Sequence, residues 1–389
     1  MNIVFITGGL TPYRIAFCDS INEYMQRTRK GHLKLFLLSE HGFNSNYDNS
    51  LLMRPYAEIL PGKTLVMKDD TTRFMINPKI ARKVYDENPD FIILGGSWTH
   101  PSTWILLKNK KKIGVPIYFW AESHFHNGLK RKQKLFWKEV IKKTIYNYFD
   151  GFFVPGQYAK EAIESTKCRN YNKCVQLPNL VENDKYLQAV INRKNKSLLR
   201  KKYLITENKI ILFTPSRLVD LKGIIEFLSN GRDELMDSNI VWMIAGMGPL
   251  MDKISEYARE NNIDVRLLGF VNQKTIIECL TIADWFLLPS LSDPNPLSVI
   301  EALWAELPLA LSKYVGNNPE TLEEKKNGLL FDTLSSDSVC ETIRVIKTTD
   351  KDWLIRAGKI SSKIARSSFD MKLETEKLVL EIERIINEL

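Results

Sequence analysis

Two cations follow the apolar run that ends Phe213-Thr214-Pro215-Ser216: Arg217, and Lys222 five residues later. Two acids, Asp293 and Glu301, stand eight residues apart around Asn295-Pro296-Leu297-Ser298, just past Leu288-Pro289. Between these clusters lies Gly246-Met247-Gly248-Pro249, and after them Gly316-Asn317-Asn318-Pro319-Glu320 with Asn327-Gly328 behind. An arginine grips a phosphate through its planar fork, and a lysine acts on it as a point charge. Negative charge that develops on a departing phosphate is stabilised by fixed cations and amide dipoles facing it. Cations, amides and acids in this order describe a cradle for a sugar-linked nucleotide diphosphate.

Each element also has a plainer reading. A lone Arg or Lys is most often a solvated surface cation. Asn295-Pro296 reads as a helix N-cap with proline at the first helical position, which aims amides, those of Pro296, Leu297 and Ser298 included, at the Asp293 loop. Ser298-x-x-Glu301 equally reads as a capping box in which Glu301 only satisfies a backbone amide. Gly246 and Gly248 let a ligand approach the backbone closely. They lack the third glycine and the later acid of a dinucleotide fingerprint, which disfavours a nicotinamide dehydrogenase.

Taken together, Arg217, Lys222, Gly246-Met247-Gly248-Pro249, Asp293 to Glu301 and Gly316 to Glu320 resemble, in order, the signatures of a retaining GT-B glycosyltransferase of family 4 (glycosyl transferases group 1). Asp293 departs from the usual Glu. The resemblance implies an α/β fold of two Rossmann-like domains facing across a cleft, and a nucleotide-diphosphate sugar as donor. It makes Arg217 and Lys222 the diphosphate ligands with Ser216 beside them, Glu301 a ribose ligand, and Asp293 a neighbour of the donor sugar. The shorter acid at 293 suits another sugar or leaves room for a water. Val271, past the run Ile263 to Phe270, is one guess at base contact. The implied mechanism is front-face substitution, with the departing phosphate taking the acceptor's proton and no cofactor or metal ion required.

In the first half, Thr7-Gly8-Gly9-Leu10-Thr11-Pro12-Tyr13-Arg14 follows the first apolar run. By the same resemblance this loop faces the cleft, so Gly8, Gly9 and Arg14 are candidates for donor phosphate or acceptor; an ordinary glycine turn is the alternative. Ala121-Glu122-Ser123-His124-Phe125-His126 is the densest titratable cluster outside the C-terminal half. Glu122, His124 or His126 is expected to meet sugar or acceptor, against the reading of a hydrogen-bonded structural histidine. His100 is a weaker candidate. Asp350-Lys351-Asp352, the one D-x-D, precedes Trp353 at a helix start and is expected to be a cap, not a metal site.

The elements that must position these residues follow from periodicity. Apolar runs alternate with longer amphipathic stretches in both halves, which argues for parallel sheets covered by helices on both faces. A chain of 389 residues with 44% hydrophobic content suits two domains. The expected division is 1–190 and 191–369, with a polar join around 178–204 and a helix over 370–389 crossing back to the first domain. No run approaches the ~18 apolar residues of a spanning helix, and Met1 leads straight into a strand-like run, so a cytoplasmic protein is expected. Five cysteines without metal-ligand spacing exclude a zinc framework and suggest free thiols.

The net charge of +9 is carried by one region: eleven basic residues against two acids lie between Lys108 and Lys143. Leu129 to Tyr148 mixes seven of them with Leu135, Phe136, Trp137, Val140, Ile141 and Ile145. That mixture suits a helix lying on an anionic membrane at the inner face, though the apolar stripe could instead pack on a sheet. No nucleic-acid motif accompanies the charge. The expected partners are a nucleotide-diphosphate sugar, a glycan or lipid-linked acceptor in surface polysaccharide synthesis, and an anionic membrane. A nucleotide-sugar epimerase on the same fold, or a non-catalytic sugar- or nucleic-acid-binding protein, is the alternative.

Overall fold

The computed structural model describes residues 1–39, 53–66, 73–124, 128 and 136–388, with the backbone alone for Phe136. Two parallel sheets organise the chain. The first has seven strands in the order β3-β2-β1-β6-β7-β8-β9: β1 Asn2–Thr7, β2 His32–Leu37, β3 Ala57–Ile59, β6 Phe91–Leu94, β7 Ile117–Trp120, β8 Gly151–Val154 and β9 Cys174–Gln176. A separate antiparallel pair, β4 Lys63–Val66 with β5 Arg73–Ile76, lies outside it. The second has six strands in the order β12-β11-β10-β13-β14-β15: β10 Ile210–Pro215, β11 Ile240–Ala245, β12 Val265–Gly269, β13 Trp285–Leu288, β14 Leu309–Ser312 and β15 Gly328–Phe331. In both sheets the first strand is central and the order reverses beside it, which opens a crevice at the carboxyl ends of the strands.

The central strands are apolar along their whole length because helices cover both faces. Ile92, Phe119, Phe152, Leu212, Trp242 and Phe286 are all buried. One apolar cluster runs without a break from Ile3 and Phe5 in the first domain through Leu177, Leu180 and Tyr186 to Ile211, Val299 and Leu309 in the second. The outer face of each sheet has a cluster of its own. Burying a large apolar side chain contributes about 1.5–3 kcal/mol, so the shared cluster fixes the domains against each other.

The polar stretch expected as a join is helical. Helices Asn183–Asn192 and Lys196–Lys202 pack on Gln273–Ile282 of the second domain, and the first of them also on Leu297–Trp304. Its apolar positions, Tyr186 and Ala189, are buried there, so this helix is tied to the second domain although it precedes residue 191. At the chain's end, helix Met371–Asn387 packs on helix Pro12–Thr28 of the first domain. Ser20 and Thr375 share a hydroxyl hydrogen bond of 2.8 Å, and Lys30 meets Glu383 at 2.5 Å. Asp350 is the N-cap of helix Lys351–Ser368, its carboxylate accepting from the Trp353 amide at 2.7 Å. Among the described residues no helix is long and apolar enough to cross a membrane.

Candidate active site

The second-domain half of the site is set by how β10 and β13 end. Thr214 donates its hydroxyl to the Leu287 carbonyl and accepts from the Trp242 indole, which locks the two strand ends together. The loops beyond them then lie side by side: the Leu291 and Ser292 amides both donate to the Leu221 carbonyl, at 2.9 and 3.2 Å. Gly223 permits this approach. Its φ is +63°, and a Cβ there would stand 2.2 Å from the Pro289 carbonyl oxygen. The consequence is that Lys222 Nζ forms a hydrogen-bonded ion pair with Asp293 Oδ2, both side chains mostly buried.

Asp293 is itself held from the other side. Its carbonyl accepts from the Gly316 amide at 2.8 Å, and Asn317 donates to Asn295 Oδ1 and the Pro296 carbonyl. Helix Leu297–Trp304 follows with Pro296 as its N-cap, one residue later than the Asn295 cap expected from the sequence. Leu297 is therefore the first helical residue, and no side chain caps this helix. The capping box is not formed: Glu301 Oε1 accepts instead from the Tyr186 hydroxyl at 2.7 Å. Burial raises the Glu301 pKa, and the Tyr186 hydrogen bond offsets part of the rise.

The first domain forms the facing wall. Arg14 is buried, its guanidinium 4.1 Å from the Trp120 ring centroid and 3.7 Å from Glu122. Burial would lower its pKa, but Tyr13 and Glu122 more than offset that and hold it above the ordinary value. Glu122 also accepts from Asn179 Nδ2 at 2.8 Å. Between the walls lies a cleft of about 490 Å³, lined by Tyr13, Trp98, Glu122 and Asn179 on one side and Asp293, Asn295 and Leu297 on the other. That volume is in the range of sites for small organic ligands.

Several expected residues fall elsewhere. Arg217 is exposed and does not line this cleft, while Ser216 beside it is half-buried. Gly246 and Gly248 do not open a path for a ligand at their α-carbons. A Cβ at Gly246 would stand 1.9 Å from the Ser216 carbonyl oxygen, and one at Gly248 2.3 Å from that of Leu218, so these glycines let two loops nest. Val271 packs against the shared core, and its exposed neighbour is Phe270. Gly8 is buried and Gly9 half-buried at the end of β1. Ser298 is half-buried on the first turn after Pro296.

His124 reaches the second domain: its ring stacks on Tyr158 with centroids 6.1 Å apart, and a Cβ on Gly316 would come within 2.9 Å of its Nε2. His126, with Lys130, Arg131, Lys132 and Lys134, lies outside the described residues. His100 is buried beside Gly96, and burial lowers its pKa.

Spacing in the chain did not reveal two contributors. Asn179 and Tyr186 reach Glu122 and Glu301 from 57 and 115 residues away. Glu320, read as part of a glycine-led motif, bridges the domains: its Oε1 accepts from the Gln157 amide at 2.6 Å, at the start of helix Gln157–Glu164. Gly156 leaves room for it, since a Cβ there would stand 2.5 Å from the Glu320 Cδ.

Residues 195–353, which carry the Lys222, Asp293 and Glu301 arrangement, match the model of the glycosyl transferases group 1. A curated relative of the chain is the UDP-Gal:alpha-D-GlcNAc-diphosphoundecaprenol alpha-1,3-galactosyltransferase of Escherichia coli, 28% identical over 218 residues, or 54% of each chain. Another is the N-acetyl-alpha-D-glucosaminyl L-malate synthase of Bacillus anthracis, 24% identical over 53% of this chain and 55% of that one. Matching thus spans about half the length of these relatives. The whole fold is similar to that of Anabaena Alr3699/HepE in complex with UDP, with a TM-score of 0.75 at 16% identity over 99% of this chain and 100% of that one. The matched residues therefore sit in a GT-B fold of two parallel-sheet domains facing across the cleft.

Proposed function

We propose that the chain is a retaining glycosyltransferase of family 4 that moves a sugar from a nucleotide diphosphate to a glycan or lipid-linked acceptor. The observation that carries this reading is the Lys222–Asp293 pair, whose acid lies on one wall of the cleft opposite Glu122 and whose lysine stands behind it. Lys222 supplies positive charge where the leaving diphosphate gathers negative charge, and the amides of Leu297 and Ser298 add dipoles of the same sense. Arg217, on the exposed rim, closes over the outer phosphate. As the diphosphate draws Lys222 away, Asp293 becomes available to the donor sugar's hydroxyls, and Glu301 receives the ribose. The bond from the anomeric carbon to the phosphate oxygen breaks while the acceptor oxygen attacks the same face. The acceptor's proton passes to the departing phosphate, so the chain supplies neither a covalent nucleophile nor a metal ion.

The Escherichia coli relative is named for transfer to a diphosphoundecaprenol-linked sugar, and the Anabaena neighbour was crystallised with UDP. Both support a uridine nucleotide and a lipid-linked acceptor as first candidates, and with them a role in surface polysaccharide synthesis. Helix Phe136–Tyr146 supports work at the inner membrane face. Ile145 and Tyr146 are buried, whereas Trp137 is 72% exposed and Val140 and Ile141 also face outward. An outward apolar row beside Lys138 and Lys143 suits an anionic bilayer.

The test is incubation with UDP-, GDP-, ADP- and TDP-sugars, with and without a lipid-linked acceptor, in the presence of a chelator. Transfer with retained anomeric configuration in chelator is expected. Isomerised donor would turn the reading to an epimerase, and absence of turnover with every donor would turn it to a binding protein.

A further inference from the structure

The interdomain cleft and two hollows of the first domain share lining residues one after another. The cleft of the site is walled by Ser97 and Trp98. Those two residues also line a second hollow of about 680 Å³, together with Phe74, Trp137 and Ile141. Ile141 in turn lines a third, a groove of about 1280 Å³ between helices Pro101–Lys108 and Phe136–Tyr146, with Trp104, Val115 and Tyr148. The track therefore runs from the reacting centre to the outside of the domain over a mainly apolar floor. Trp98 and Trp104 are fixed along it, the Trp104 indole donating to the Trp98 carbonyl at 3.0 Å and Trp98 meeting Tyr146 edge-on. Trp104 is 48% exposed and Ile141 44% exposed, large apolar surfaces that water covers poorly.

The charge around the groove is one-sided. Lys108, Lys110, Lys111 and Arg169 line it against a single acid, Asp150, and that acid is held by Lys110 at 2.6 Å. Lys108, Lys111 and Arg169 are exposed at its rim. An apolar floor adjoining the cleft fits the long hydrocarbon chain of an amphiphile, and a cationic rim at its outer end fits the anionic bilayer from which that chain comes. A soluble glycan would leave the apolar floor bare. A protein helix would fill the outer groove without using the connection past Trp98.

We propose that this track binds the hydrocarbon chain of a lipid-linked acceptor. The chain leaves the cleft past Ser97 and Trp98, crosses Ile141 and enters the groove beside Trp104, where the lysine rim faces the phosphates of the surrounding bilayer. The assignment rests on the lipid-acceptor reading of the cleft and makes the chain, besides the sugar, part of what is recognised.

Two measurements on the full chain test it and separate its failure from failure of the transferase reading. The first needs no donor: binding of a long-chain polyprenyl diphosphate in detergent micelles, followed by tryptophan fluorescence, with a short-chain diphosphate of the same head as control. Ile141→Glu and Trp104→Ala should each weaken long-chain binding about tenfold and leave the short-chain control unchanged. The second compares transfer to a long-chain and to a short-chain acceptor carrying the same sugar. Here kcat/KM for the long chain should fall about tenfold in Ile141→Glu, with the short-chain value and the circular dichroism spectrum kept. Equal long- and short-chain affinity in the unaltered protein would overturn the proposal. So would variants that lose both chains alike, or a groove occupied only by bilayer, seen as vesicle binding sensitive to Ile141→Glu with no chain-length dependence. Long-chain binding without transfer to any acceptor would uphold the track and count against the transferase reading instead.

Discussion

Lys222 and Arg14 are both paired cations in or beside the cleft, yet their surroundings assign them opposite work. Lys222 has one partner, Asp293, on a loop facing the cleft, so an incoming anion can share it. Arg14 is enclosed: Trp120 covers its face and Glu122 stands 3.7 Å away, while its buried Nη1 has no hydrogen-bond partner. A cation held by one neighbour at a cavity wall is poised to act on substrate, whereas one enclosed by an aromatic face and an acid holds a wall in shape. Arg14, packed on Trp120 and paired with Glu122, holds the wall that carries Glu122.

The comparison can be broken by exchanging the losses. Lys222→Ala should lower kcat by about a hundredfold, the scale of removing one charge-stabilising donor, while the melting temperature moves by only a few degrees. Arg14→Ala should act first on the fold. It leaves Glu122 without its cation and Trp120 without its cover, a loss of about 2–3 kcal/mol in denaturant unfolding. If Arg14→Ala kept its stability and lost turnover while Lys222→Ala did the reverse, the two roles would have to be exchanged.

A smaller effect sharpens the account of Glu301. Burial favours its neutral form and the Tyr186 hydroxyl favours the carboxylate, so removing that hydroxyl raises the pKa further. If the ribose is held by the carboxylate, donor affinity falls as pH drops through that pKa. Tyr186→Phe should then shift the acid limb of the kcat/KM profile to higher pH, with little change on the alkaline side. An acid limb that stays in place would detach Glu301 from donor binding.

The smallest effect concerns the contact between domains. Glu320→Ala removes the acceptor of the Gln157 amide and should cost about 1 kcal/mol, while Glu320→Gln should restore much of it. Thermal unfolding of the two variants checks this, and equal stability of both with the unaltered protein would mean the bridge contributes nothing.

Much of the second-domain site was legible because its parts lie on short loops after regular strands. Lys222 follows β10 by seven residues and Asp293 follows β13 by five, and strands that neighbour in the sheet bring their loops together. What could not be read were contacts made by other elements. Nothing near Glu301 in the chain announces Tyr186, because that pairing depends on helix Asn183–Asn192 folding onto the second domain rather than forming a loose join. Gly246 and Gly248 were visible as needed glycines, but sequence could not say whether backbone or ligand filled the space. The answer, the nested loop 216–218, is a tertiary fact. Edge strands such as β9 and β15 leave little trace in the sequence, because Cys174–Gln176 is only three residues long and Gly328–Phe331 begins on a glycine.

The central claim is that the cleft side of the second domain grips a diphosphate through Lys222. Calorimetric titration of the full chain with a panel of nucleotide-diphosphate sugars, repeated on Lys222→Ala, tests it most directly. Saturable binding of at least one donor at one site per chain, weakened about tenfold or more in the variant, is the expected result. Undiminished donor affinity in a folded Lys222→Ala protein, or no binding of any donor by the unaltered chain, would contradict it.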